Sequence, residues 1–212
     1  MVYYGIQIEE FEIRRGDEGE DVAAWDGSAF IGPDEYKLRL LSEGEYDLDA
    51  RKFETLETQL VGEMPISDFF DIKAGIRLDA PQGPNRCYGV LGISGLAQQW
   101  VEIDANVFLS EKGDVSARLD AEYELLLTNR LILTPTASID LAFADDAGIE
   151  IQSGFTSLEL GLRLSYDVVE RVFSPYIGLT YETRLGDTRE LIAAQSEDTS
   201  AWSIVAGAKF TF

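Results

Sequence analysis

Apolar and polar residues alternate most regularly between Lys112 and Phe143. Alternation with a period of two is typical of a β-strand, whose successive side chains point to opposite faces of a sheet. A short polar break at residues 128–130 divides the stretch into two long arms, so the pattern predicts a hairpin. The arms exceed the roughly 5–6 residues usual in soluble sheets and match the roughly 9–11 residues that a tilted strand needs to cross a bilayer. We therefore predict two transmembrane strands, with lipid on one face and a polar lumen on the other.

The same alternation continues through the chain and divides it into twelve segments. They comprise residues 2–14, 22–31, 36–46, 52–64, 69–80, 86–97, 100–110, 114–127, 131–143, 155–168, 173–184 and 201–212. An even number of strands brings both termini to the same side, as in bacterial single-chain barrels. We predict a single domain over residues 1–212, which folds as an all-β, closed, antiparallel up-and-down transmembrane β-barrel of about twelve strands.

The connections between these segments fall into two classes that alternate along the chain. The short class comprises residues 32–35, 65–68, 98–99, 128–130 and 169–172. The other class is more acidic and includes the longest connections, and it comprises residues 16–21, 47–51, 81–85, 111–113, 145–154 and 185–200. Outer-membrane barrels have short periplasmic turns and longer extracellular loops. The alternation of the two classes therefore supports the strand count.

The pattern also predicts which side chains face lipid and which face the lumen. The lipid-facing set includes Leu119, Leu133, Ile139, Leu160, Leu162 and Ile177, and the lumen set includes Arg118, Asp140, Glu159 and Arg163. Aromatic residues near the strand ends, among them Phe30 and Tyr176 by the short turns, predict two girdles at the membrane interfaces. Pro135 lies inside a strand and predicts a bulge, because proline cannot donate to the hydrogen-bond ladder.

Composition narrows the range of functions. The chain has 39 acidic and 17 basic residues and a formal net charge of −22. This charge argues against nucleic acid as a partner, which needs a basic surface, and favours cations or cationic partners. Histidine is absent, which removes the commonest general base and rules out Ser-His-Asp or Cys-His catalysis. We therefore predict that the chain is not an enzyme.

Four carboxylates are predicted to face one another across the hairpin that turns at Lys112. They are Glu102, Asp104, Asp120 and Glu122. The register across the turn places the two aspartates opposite each other, and likewise the two glutamates. Like charges directly opposite each other destabilise a sheet, so other charges must offset them. Inward cations would do so through an ion-pair network that fills the lumen, and the candidates are Lys37, Arg39, Lys73, Arg77 and Arg163. Alternatively, the cluster forms a weak metal site or part of a cation path.

Several runs of sequence are distinctive when they are read in order. They are residues 4–9 (YGIQIE), 25–27 (WDG), 37–38 (KL) with 42–45 (SEGE), 74–77 (AGIR), 88–92 (YGVLG) with 95–97 (GLA), 112–119 (KGDVSARL), 126–127 (LL) with 131–133 (LIL), and 174–178 (SPYIG). Together they resemble the copper resistance protein B family of Gram-negative outer membranes. The resemblance implies an integral outer-membrane protein that contacts lipid and lipopolysaccharide. It also implies a role in copper resistance and homeostasis beside a periplasmic multicopper oxidase.

The chain departs from this family in its copper ligands. Family members usually have a Met- and His-rich segment ahead of the barrel, and the printed sequence contains no such segment, with Met1 and Met64 as its methionines. Thioether, thiolate and imidazole groups hold copper well, and the single cysteine, Cys87, offers one bond where a site needs at least two. Carboxylates alone would bind copper weakly or not at all, with Cu(II) favoured over Cu(I) and capture fading at acid pH.

Three functions remain open at this point. The first is a copper-handling barrel that binds the ion, sequesters it or exports it through an acidic lumen. The second is a general, porin-like diffusion channel, and the third is a closed structural barrel whose loops bind partners. We also expect a monomer, because a closed barrel has no free edge. No signal peptide precedes Met1, so we expect the leader that an outer-membrane protein needs to lie outside the printed sequence.

Overall fold

The computed structural model describes residues 1–17, 19–80, 85–169 and 171–212. Twelve strands run through these residues. They are β1 (Tyr3–Gly16), β2 (Asp21–Gly32), β3 (Lys37–Asp47), β4 (Lys52–Pro65), β5 (Phe70–Ala80), β6 (Arg86–Leu96), β7 (Val101–Ser110), β8 (Val115–Tyr123, continued by Leu125–Leu126), β9 (Leu131–Ala142), β10 (Gly154–Tyr166), β11 (Phe173–Arg184) and β12 (Ser200–Thr211). A 3₁₀ turn at Gln98–Trp100 and a helix, α1, at Gly186–Ala194 lie in the connections.

Each strand pairs antiparallel with the next one in the chain, and the last strand pairs with the first. Between β12 and β1 the register runs from Gln7 opposite Thr211 to Gly16 opposite Ser203. This closure removes the free sheet edges that would otherwise attract other strands. The predicted closed, antiparallel, twelve-stranded barrel is confirmed. Residues 81–84 of the predicted loop 81–85, residue 18 of the loop 16–21 and residue 170 of the turn 169–172 lie outside the described residues.

The barrel has an apolar outer face and a polar interior. Leu160 and Ile177 are exposed on the outer face, whereas Arg118 bonds to Asp140 and Arg163 bonds to β1 inside the barrel. The other predicted outward residues, Leu119, Leu133, Ile139 and Leu162, share the outer face with these leucines and isoleucines. The predicted assignment of the two faces is confirmed.

A bulge in β1 changes the side-chain pattern of that strand. Between Ile8 and Glu10 the register of β1 against β2 shifts by one residue, so Glu9 is the additional residue. Both glutamates then reach cations inside the barrel: Glu9 lies 3.7 Å from Lys209 Nζ, and Glu10 lies 2.8 Å from Arg163 NH2. A bulge inserts one residue and reverses the alternation beyond it. Two consecutive carboxylates therefore face the lumen.

The predicted bulge at Pro135 is wrong. The register between β9 and β8 is the same on both sides of the proline, with Thr136 opposite Glu122 and Leu133 opposite Leu125. The register between β9 and β10 also passes through the proline without a shift. Proline interrupts only the pairing with β8, because its missing N–H cannot donate to the ladder. This gap explains why β8 is divided into two pieces.

Two aromatic residues predicted for the membrane girdle lie inside the barrel instead. The Phe30 ring packs against the Arg39 guanidinium at 5.2 Å. Tyr176 is buried, and its O–H donates a hydrogen bond of 2.8 Å to Glu12. Trp202, by contrast, is exposed on the outer face near the loops, as a girdle residue should be. The girdle assignment of Phe30 and Tyr176 is wrong because closeness to a strand end does not determine which face a side chain occupies.

Helix α1 occupies part of the connection 185–200, for which the sequence pattern predicts a loop. It lies beside β10. Its buried Thr188 contacts the backbone of Gln152 in the preceding loop, whose N–H donates to Thr188 Oγ1 at 2.9 Å. None of the helices in the described residues has the length and apolar character needed to cross a membrane.

Candidate functional site

The four predicted carboxylates lie on two adjacent strands of the barrel wall. The register of β7 against β8 places Glu102 opposite Glu122 and Asp104 opposite Asp120. The predicted register is confirmed. All four side chains alternate along their strands with apolar residues of the outer face, so they project from one wall into the lumen.

Two of these carboxylates contact a lysine from another strand. Lys73 Nζ lies 2.5 Å from Asp104 Oδ2, and Lys209 Nζ lies 3.2 Å from Glu122 Oε1. Asn106 adds a hydrogen bond of 2.7 Å from its Nδ2 to Asp104 Oδ1. These contacts agree with the interpretation of the lumen as an ion-pair network. Lys73 was predicted for this role, and Lys209 was not.

The other two carboxylates, Glu102 and Asp120, form no ion pair within 1–17, 19–80, 85–169 and 171–212. The charges that act on Glu102 include those of Glu122, Glu9 and Glu124, together with the cation Lys209. Across the same described ranges, no group of three or more His, Cys, Asp or Glu side chains has the arrangement of a metal site. The wall therefore offers a negative field without a set of converging ligands, and a copper site at these four residues stays a prediction.

A first charged network is centred on Glu12, whose side chain is fully buried. Arg163 donates two hydrogen bonds to this carboxylate, at 2.9 and 3.0 Å. Arg14 donates a third at 2.8 Å and Tyr176 a fourth at 2.8 Å. Arg14 also reaches Glu45 on β3 at 2.9 Å. We call this the Glu12 network, and it ties β1 to β3, β10 and β11.

A second network is centred on Glu57 of β4. Arg118 on β8 donates to Glu57 at 3.2 Å and to Asp140 at 2.9 Å. Arg77 lies 2.7 Å from Glu57, and Gln59 donates to the same carboxylate at 2.5 Å. Because β4 and β8 are not neighbours in the sheet, the bond from Arg118 to Glu57 crosses the lumen. We call this the Glu57 network.

An apolar cluster fills one side of the interior beside the Glu57 network. Its members are Leu41, Val61, Tyr88, Val90 and Phe108. The Arg77 guanidinium lies 4.5 Å from the centre of the Phe108 ring and 5.3 Å from that of Tyr88, which is the geometry of cation–π contacts. We call these five residues the apolar wedge. Together with the Glu57 network, the wedge narrows the lumen near its middle.

The two soft copper ligands within the strands face away from the lumen. Cys87 lies opposite Leu78, which is exposed on the outer face. Met64 is 54% exposed near a short turn, on the same outer face. Neither sulfur is therefore placed to assist the carboxylates of the lumen wall.

Sequence patterns missed several lumen residues, chiefly Glu9, Glu12, Arg14 and Lys209. Glu12 and Arg14 lie beyond the bulge in β1, where strict alternation from the start of the strand gives the wrong face. The contact of Glu9 with Lys209 depends on how the barrel closes. The adjacent pair Glu9-Glu10 inside an otherwise alternating strand is the one signal of this bulge in the sequence. Lys209 was visible as an inward residue, but its partners on β1 and β8 depend on how the barrel closes.

Known proteins resemble this chain in sequence and in fold. The family model described as "Copper resistance protein B precursor (CopB)" matches residues 2–212. The chain is 35% identical over 189 residues to "Copper resistance protein B homolog" of Pseudomonas syringae pv. tomato, which covers 89% of this chain and 63% of that protein. It is 32% identical over 211 residues to "Copper resistance protein B" of Escherichia coli, covering 100% of this chain and 70% of that protein. The chain therefore spans less than two thirds of the Pseudomonas relative.

Among solved structures, a NanC porin has a similar fold. Its TM-score is 0.60 at 12% sequence identity, with 98% of this chain and 99% of that chain covered. At this level of identity the likeness concerns the fold alone.

Proposed function

Because the chain belongs to the copper resistance protein B family, we propose that it serves copper resistance as an integral barrel of the Gram-negative outer membrane, with copper ions as its cargo. The apolar outer face fits lipid and lipopolysaccharide, and the charged interior fits an ionic cargo. A periplasmic multicopper oxidase is the partner that we propose at the periplasmic end, where the short turns lie.

The observation that supports copper capture is the unbalanced charge on the wall formed by β7 and β8. This wall presents four inward carboxylates, and only two of them contact a lysine. Lumen walls lined by one sign of charge concentrate ions of the opposite sign. The wall, which we name the acidic wall (Glu102, Asp104, Asp120 and Glu122), would therefore attract Cu(II) and other divalent cations through its field.

The chemistry of the ligands limits how tightly this wall would hold copper. Carboxylate oxygens suit Cu(II) better than Cu(I), and the described lumen presents no thiolate or thioether. Capture would weaken in acid, because protons compete with the metal for the carboxylates. We therefore propose a weak and reversible interaction that serves sequestration or export, with tight binding left to ligands outside this barrel.

Neutralising the acidic wall tests this proposal. We expect the variant Glu102→Gln, Asp104→Asn, Asp120→Asn and Glu122→Gln to lose most of its Cu(II) binding, measured by calorimetry on folded barrel in detergent. The matched control is Asp34→Asn, Glu35→Gln, Asp68→Asn and Glu111→Gln, which neutralises the same residue types at exposed turn positions. Lys209→Met should act in the opposite direction and strengthen binding, since it removes a competing cation from Glu122. Equal binding by the wall variant and its control would contradict copper capture at the wall.

A porin-like diffusion channel is the second candidate, because a closed barrel with a polar interior can hold a water-filled path. The Glu57 network and the apolar wedge, which narrow the lumen, favour a closed barrel instead. Conductance in planar bilayers separates these alternatives. Absence of current would exclude a channel, and a current carried equally by anions and cations would exclude selection by the acidic wall.

A further inference from the structure

The loop between β9 and β10, residues 143–153, has a built internal structure, and we call it the flap. Asp146 and Ile151 exchange two backbone hydrogen bonds, of 2.8 and 3.1 Å. Asp146 Oδ1 also accepts a bond of 2.9 Å from the N–H of Gly148. At the base, the N–H of Ser153 donates to Asp145 at 2.7 Å, and this bonding holds the pKa of the Asp145 carboxyl below its usual range. The flap is therefore a small hairpin rather than a slack connection.

The flap reaches over the rim of the barrel to a residue of β6. Asp146 Oδ2 lies 2.6 Å from Arg86 NH2. Arg86 shares the inward face of β6 with Tyr88 and Val90 of the apolar wedge, and it is only 3% exposed. Gly148 packs directly on its guanidinium, where a side chain would clash. The arginine is thus covered by the flap.

Strand order shows how far the flap reaches along the rim of the barrel. The flap leaves the wall at β9 and β10, whereas Arg86 lies on β6, and β7 and β8 stand between them. Neighbouring strands are about 4.8 Å apart, so the flap spans about 14 Å of the wall to meet Arg86. It therefore lies over the lumen-facing upper ends of β7 and β8, where Ser116 is located.

Helix α1 supports the flap from the other side. Thr188 Oγ1 accepts from the N–H of Gln152 at 2.9 Å and donates to its carbonyl oxygen at 3.3 Å. Gln195 donates to Glu150 at 3.1 Å. These bonds fix the return arm of the flap. Its tip, residues 146–149, is held to the barrel by the contact of Asp146 with Arg86.

The contact between Arg86 and Asp146 pairs two opposite charges, but its hydrogen-bond geometry is poor. In the described part of the chain, none of the three guanidinium nitrogens of Arg86 has a well-aligned hydrogen-bond acceptor, so the 2.6 Å contact is an ion pair without alignment. Lys112 approaches the other oxygen of Asp146 only at 3.9 Å. Desolvation offsets part of the attraction between the two charges, so the pair favours the closed position only modestly. The closed position of the tip is therefore balanced finely enough to be released.

We propose that the flap is a gate over the extracellular mouth of the barrel, held closed by the ion pair between Arg86 and Asp146. In the closed position it covers the upper ends of β7 and β8 and limits the entry of solutes from outside. Release of the ion pair frees the tip, while α1 retains the return arm. The gate would act on any solute that enters the lumen, and it does not depend on copper.

Accessibility of a cysteine beneath the flap tests the gate. The barrel that carries Cys87→Ser and Ser116→Cys is reconstituted in lipid vesicles. The introduced cysteine is then labelled with a membrane-impermeant maleimide. Asp146→Asn removes the charge and keeps an oxygen for the turn at Gly148. We expect it to raise the labelling rate about tenfold, which corresponds to about 1.4 kcal/mol in the closing equilibrium.

Two further variants keep the result interpretable. Arg86→Met removes the other half of the ion pair and should raise the rate in the same way. Lys112→Gln changes a neighbouring charge at 3.9 Å and should leave the rate unchanged. An unchanged rate in both Asp146→Asn and Arg86→Met, or an equal rise in Lys112→Gln, would overturn the gate. Since the labelling uses no copper, such a failure is independent of the copper assay on the acidic wall.

Discussion

Glu12 illustrates at the residue scale how the interior tolerates charge. Its buried carboxylate accepts hydrogen bonds from Arg14, Arg163 and Tyr176, and Arg163 is itself 2% exposed. A buried charge is costly unless it is paired and hydrogen-bonded. Here the pairing is dense enough that the residue ties three strands together.

Replacing this residue should therefore destabilise the barrel strongly. We expect Glu12→Gln to lower the free energy of unfolding by about 3–5 kcal/mol, because it leaves two buried guanidinium groups short of a counter-charge. Tyr176→Phe removes a single hydrogen bond to the carboxylate and should cost about 1.5–3 kcal/mol. Urea unfolding in lipid vesicles, followed by tryptophan fluorescence, compares the two. A loss in Glu12→Gln no larger than that of the exposed control Glu197→Gln would contradict this account.

At the scale of the strand, alternation decides the environment of each residue more than residue type does. In β10, Glu159 reaches Arg14 inside the barrel at 3.4 Å, while the adjacent Leu160 is 42% exposed on the outer face. A single bulge or a slip of one residue would exchange these environments. The outer face of β10 is therefore predicted to lie in the membrane near its midplane.

A charge placed on that face should be costly. We expect Leu160→Arg to lower the free energy of unfolding by about 2–4 kcal/mol, as lipid-facing arginines do near the bilayer midplane. Leu48→Arg, in the turn between β3 and β4 with similar exposure, is the control and should be nearly neutral. Spin labels at both Glu159 and Leu160 would report the environment directly. Water at Leu160 together with lipid at Glu159 would show that the assigned faces are reversed.

At the scale of the whole molecule, the closed sheet and the bonds across its interior stabilise the barrel without a second copy of the chain. The first and last strands pair along their length, and Arg118 links β8 to β4 through the interior. In the strands that the structure describes, no edge remains to be completed by a second copy.

We therefore predict that the protein is a monomer in mild detergent. Light scattering coupled to size-exclusion chromatography, corrected for bound detergent, should give the protein mass of one chain. The mass should stay constant over about a hundredfold dilution, because a monomer has no association equilibrium to shift. A stable trimer would count against the prediction.

The sequence by itself determined the strands, the faces of most of their residues and the register of the hairpin that bears the acidic wall. These features depend on local rules: side chains alternate along a strand, and a short turn fixes which residues stand opposite each other. The pairing of Asp104 with Asp120 followed from those rules alone. The short runs of sequence that resemble the copper resistance protein B family likewise indicated the family of this chain.

Tertiary structure decided which charges compensate one another and what covers the barrel mouth. The contact of Lys209 with Glu122 joins the last strand to β8, and the contact of Asp146 with Arg86 joins a loop to a distant strand. Such pairs depend on barrel closure, on the bulge in β1 and on the path of the flap. None of these leaves a periodic signal in the sequence, because side chains far apart in the chain meet only after the sheet has curled and closed.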